Sequence, residues 1–115
     1  MNSGDIEKII LLAKRGDVSA AEKLAHVTVN IDSEKINDDT LRRLASLLDS
    51  PNGSVRLWAA AAIGNFGARA TEYAPRLQKI VSEEACNMTG LSAADTASSA
   101  LNKMKITSVP FGCKD

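Results

Sequence analysis

Few side chains in this sequence carry reactive chemistry. His26 is the single histidine, Cys86 and Cys113 are the two thiols, and Asp38-Asp39 and Glu83-Glu84 are adjacent carboxylate pairs. A histidine titrates near neutrality and suits general acid–base work, but it needs a substrate proton within reach and a group to orient it. His26 stands in AAEKLAHVTVN with no Asp or Ser partner marked beside it, so it reads as a partly buried helix residue. The cysteines form neither a CxxC motif nor a metal-ligand spacing and read as reduced thiols. Both carboxylate pairs fall in polar ends of helical segments, where N-capping or solvation accounts for them. Catalytic triads, metal-ligand clusters and phosphate-cradling glycine loops are missing from the sequence. The expectation is a non-enzyme with no cofactor and no metal ion.

Composition narrows the classes further. At 115 residues the chain suits one domain with a true core. With one Trp, one Tyr and two Phe, that core must be built from Leu, Ile, Val and Ala, which favours closely packed helices. Lys and Arg equal Asp and Glu at 14 each, so no basic surplus supports direct nucleic-acid binding. No run approaches the roughly 20 apolar residues of a membrane span. The N-terminus, MNSGDIEKIILLAKRGD, is no signal peptide, because an acidic residue precedes a very short apolar run. The sequons at Asn52 and Asn87 read as chance without a secretory signal, and the expected location is cytoplasmic.

Six helical segments would position these groups. Asp5 opens the first, with Ile6, Ile9, Ile10 and Ala13 on one side and Gly16 as a stop. Asp17 or Ser19 caps the second, which carries Ala20, Ala21 and Leu24. Asp38 or Asp39 caps the third, where Leu41, Leu44, Leu47 and Leu48 share a face. Ser54 caps the fourth, SVRLWAAAAIGNF, which ends at Gly67. The fifth begins near Thr71, with Pro75 tolerable only in its opening turn. Gly90 and Ser92 introduce the sixth, whose Ala94, Ala97, Leu101 and Met104 align. Residues 106–115, with Pro110 and Phe111, read as an irregular tail on a domain of residues 1–105. Phe111 is a candidate to cover the last apolar edge.

The helices overlay on one another. SVRLWAAAAIGNF laid on SAADTASSALNKM places Ala59 over Ala97, Ala62 over Ala100 and Ile63 over Leu101. TLRRLASLLDS laid on YAPRLQKIVSEE places Arg43 over Arg76 and Leu44 over Leu77. Helix pairs recurring every 35 to 40 residues or so mark an α-solenoid. DSPNGSVRLWAAAAIGNFG followed by YAPRLQKIV resembles a HEAT repeat: Asp49, Val55, Arg56, Ala59, Ala60, Ile63, Gly64, Pro75 and Leu77 stand at its pattern positions. The likeness is good over residues 49–82 and weakens toward the N-terminus. Asp17 and Ala94 replace Arg56 in the other first-type helices. The resemblance implies an all-α fold, a short α-α superhelix of about six helices in three helical pairs. It also implies that second helices line a binding surface. Gly64 and the alanines then serve close helix approach.

Binding is the expected function, with another protein as partner. Asp32, Glu34, Asp38 and Asp39 would make an acidic rim, Arg42, Arg43 and Arg76 a basic inner face, and Trp58, flanking the buried stripe, a half-exposed anchor. A small neutral chain that reads as complete suits a dedicated inhibitor. Its best form is an immunity protein whose acidic surface neutralises a cognate toxin, such as a nuclease with a basic cleft. A small adaptor or assembly factor using the arginines is the alternative. A third is an enzyme accessory, because short HEAT-like repeats resemble those of bilin lyases; Cys86 and His26 are its only candidates.

Overall fold

The computed structural model describes residues 3–30, 36–84 and 93–106. They form α1 (Ser3–Lys14), α2 (Val18–Val29), α3 (Asp38–Ser46), α4 (Gly53–Gly64), α5 (Ala74–Glu84) and α6 (Ala93–Lys103). Single 3-10 segments at Leu47–Asp49 and Gly67–Tyr73 follow α3 and precede α5. The protein is all-α, with no strand among the described residues.

Three helices start where an Asp or Asn side chain takes up free N–H groups of the first turn. Asp17 accepts from the Ala20 amide at 3.1 Å, as expected. Asn37, rather than Asp38 or Asp39, caps α3 by accepting from the Thr40 amide at 2.8 Å. Asn52, rather than Ser54, caps α4 through the Ser54 and Val55 amides. In both corrected cases an earlier asparagine holds the extended backbone that a cap requires, so the helix starts sooner. At the other end of α1, Gly16 has a φ of 97°. There the Gly16 amide donates to Ala13 and the Asp17 amide to Leu12, closing a Schellman motif. Lys105 repeats this geometry after α6 at a φ of 61°, with Ile106 donating to Leu101. Helix α4 ends at Gly64, not Gly67; Gly67 instead, at a φ of 58°, opens the 3-10 segment. Pro75 falls in the first turn of α5.

The helices form two rows. Helix α4 packs most extensively on α6 and α2, so α2, α4 and α6 make one row. On the other side α1 packs on α3, and α5 meets the 3-10 turn that follows α3; the close pairs α1–α2 and α5–α6, with a lighter α3–α4 contact, join the two rows. Between the rows lie Ile6, Leu24, Leu41, Leu44, Leu47, Val55, Ile63, Leu77, Val81 and Leu101, all less than 2% exposed.

The alanines of α4 set the spacing of the first row. Ala59, Ala60 and Ala62 are fully buried. At Gly64 a Cβ would lie 2.8 Å from the Ala100 Cα, so only glycine lets α6 come this near. One residue on, Asn65 links three helices. Its Nδ2 donates to the Ala25 carbonyl and Thr28 Oγ1 of α2, and its Oδ1 accepts from Lys103 of α6. Ile106, the first residue assigned to the tail, packs against the core; the rest of the tail, Phe111 included, lies outside the described residues.

Candidate functional site

Asp38 and Asp39 open α3, where the positive end of the helix dipole favours carboxylates. The Asp38 side chain is 96% exposed, yet Arg69 meets it at 3.1 Å while being only 26% exposed itself. The same guanidinium also donates to the Ile36 carbonyl. A rooted arginine thus holds an outward carboxylate in place. Asp39 lies 2.8 Å from Arg42, one turn later on α3, and both side chains are exposed. Arg43 pairs with Glu7 of α1. Arg76 of α5 stands 3.6 Å from Asp49 and 3.5 Å from the Ala45 carbonyl.

Of the expected acidic rim, Asp38 and Asp39 lie on α3 together with Arg42 and Arg43 of the expected arginine face. Asp38, Asp39, Arg42, Arg43 and Arg76 come together on the α3–α5 row, and each arginine stands beside a carboxylate of this chain. Tertiary packing sets Arg43 against Glu7 and Arg76 near Asp49, so these arginines stand beside acids rather than in an uninterrupted basic face among the described residues. Asp32 and Glu34 lie outside the described residues. Trp58 belongs to the other row. It is half-buried against the core, its ring centroid 6.1 Å from that of His26 on α2.

His26 is exposed rather than partly buried, and its Nε2 lies 3.6 Å from Glu22. The i, i+4 spacing from Glu22 was the signal in the sequence for that pairing. Cys86 and Cys113 lie outside the described residues, as do the side chains of Glu83 and Glu84. Among the described residues, no three His, Cys, Asp or Glu side chains stand close enough to hold a metal ion, and no helix is long and apolar enough to cross a membrane.

Two concavities mark the same row. The larger, about 530 Å³, is lined by Leu48, Asp49, Ser50, Arg56, Arg76, Lys79 and Ile80. Arg56 is the residue that reading the sequence did not place at a site. Its Nη1 donates to the Ser50 carbonyl at 2.5 Å, which lays the side chain along the loop before α4. The smaller, about 230 Å³, lies between α1 and α3 and is lined by Glu7, Ile10, Leu11, Lys14 and Arg43. Leu11 is 58% exposed there. Tyr73, on the same side, has its phenol pushed above its ordinary value, first by burial and then by Glu72; Arg42 and Arg76 pull the other way.

No family model matches the chain, and no curated protein or solved structure matches it either.

Proposed function

We propose that this chain is a non-catalytic protein-binding module that acts as a dedicated inhibitor. In the most specific form, it is an immunity protein that occupies the basic cleft of a cognate toxin, such as a nuclease. The observation that carries this reading is the presentation of Asp38. Its carboxylate is almost wholly exposed, while the arginine holding it is rooted in the fold. Asp39 stands beside it, and Asp32 and Glu34 precede both in the chain.

The internal ion pairs favour exchange with a partner. An exposed pair such as Asp39–Arg42 contributes at most about 1 kcal/mol, because water and salt screen it and two long side chains lose freedom. A partner's lysine or arginine can take over Asp39 at small cost, and a complementary field speeds the encounter.

The reading is tested by affinity capture from the native host's lysate at low and high salt, with the wild type and the Asp38→Lys/Asp39→Lys variant side by side. One dominant basic protein should be held by the wild type at low salt and lost from the variant. Equal capture of the same proteins by both forms sinks the reading.

A further inference from the structure

We infer that the cleft between the 3-10 turn Leu47–Asp49 and α5 is a recognition site for carboxylates of an acidic peptide segment. This goes beyond the acidic rim and does not depend on it. Three cations, Arg56, Arg76 and Lys79, line the cleft against one carboxylate, Asp49. Arg76, Lys79 and Ile80 recur at i, i+3 and i+4 on α5, which puts two cations and an apolar side chain on one helix face.

The donors keep capacity for a ligand. Arg76 stands 3.6 Å from Asp49, beyond hydrogen-bond range, and 3.5 Å from the Ala45 carbonyl, at its limit. A guanidinium carries five N–H donors, and two long contacts leave most of them for a carboxylate. Lys79 is exposed and has no ion-pair partner among the described residues. Arg56 stands at the lip, where its guanidinium donates to the Ser50 carbonyl.

Shape and charge favour a peptide over a phosphate. Leu48 and Ile80 offer apolar wall to the methylenes of a glutamate, and the volume of about 530 Å³ falls within the range of ligand sites. Phosphates are commonly held by free N–H groups at a helix N-terminus. The N-terminus of α4, which supplies Arg56 to the cleft, already has its Ser54 and Val55 amides bonded to Asn52. Asp49 in the wall also penalises a dianion more than a monoanion.

The test is a titration of the full isotope-labelled chain with hexaglutamate, read as amide chemical shifts, with inorganic phosphate in a parallel arm. Saturable shifts are expected at residues 48–50, at Arg56 and over residues 76–80. Lys79→Glu, an exposed change, should weaken binding roughly tenfold, and Asp49→Asn should tighten it about threefold. Asp38→Asn/Asp39→Asn should leave it unchanged, which separates this site from the rim. The inference is overturned by an absence of saturable shifts at the cleft, by indifference to Lys79→Glu, by loss of the shifts in the Asp38/Asp39 variant, or by phosphate matching hexaglutamate.

Discussion

At the seam between α4 and α6, Gly64 approaches Ala100 so closely that even a methyl group would strike backbone. On the outer side of α3 and α5, contact runs instead through long charged side chains, with Arg76 reaching toward Asp49 and Arg42 turning to Asp39 within α3. The seam is short-range and apolar, and leaves no room for a side chain at position 64. The charged row is half-exposed and held by pairs that water and salt weaken. The difference separates a seam fixed by backbone contact from an outer charged surface of α3 and α5 that we propose is available to a partner.

Substitution at Gly64 is the most severe way to probe this division. Gly64→Val should cost roughly 3 kcal/mol of unfolding free energy, because a Cβ 2.8 Å from the Ala100 Cα forces α6 away. Gly64→Ala should cost about half as much, since better helix propensity offsets about 1 kcal/mol of the clash. Urea denaturation measures both, and a stabilised Gly64→Ala would show that the seam is not the tight element. Asn65→Ala comes next at about 1.5 kcal/mol, because it removes the links to Ala25, Thr28 and Lys103 at once. Lys103→Met should cost far less than Asn65→Ala. Equal costs would place the link in the lysine alone.

On the charged row the expected effects are smaller and depend on conditions. Tyr73 is the only tyrosine, and its raised phenol means that the folded protein keeps its proton where the unfolded chain releases it. The unfolded state then binds fewer protons, so stability should fall as pH climbs past the ordinary phenol value of 10.0 and through the higher folded-state value. Below that window the contribution is fully present. Tyr73→Phe should remove this part of the alkaline decline, measured as the difference between the two stability-versus-pH curves; superimposed curves would contradict it. Smallest of all, a double-mutant cycle of Asp39→Ala and Arg42→Ala should give a coupling of about 0.5 kcal/mol, vanishing at high salt. A coupling several times larger would make that pair structural and weaken the contrast.

How far the sequence showed these two rows differs between them. The buried faces seen on the described helices follow from helical spacing, and the role of Gly64 follows from its place among alanines, because both depend on local geometry. The caps at Asn37 and Asn52 were harder to read. NDD and NGS each offer several capping side chains, and only the backbone conformation selects one. The ion pairs were harder still. Arg69 meets Asp38, and Arg43 meets Glu7, across long stretches of chain, so packing decides which carboxylate each arginine finds. Arg56 entered the cleft for the same reason: it stands in the first turn of α4, and only packing brings Arg76 and Lys79 of α5 near it.

The division of labour is tested most directly by urea denaturation of a variant combining Asp39→Ala, Arg42→Ala and Lys79→Ala, beside Gly64→Val and the wild type. All three replaced side chains are exposed. The triple variant should unfold within about 1 kcal/mol of the wild type with an unchanged denaturant slope, while Gly64→Val loses several times as much. A triple variant as unstable as Gly64→Val would make the charged row part of the structural core and contradict the account.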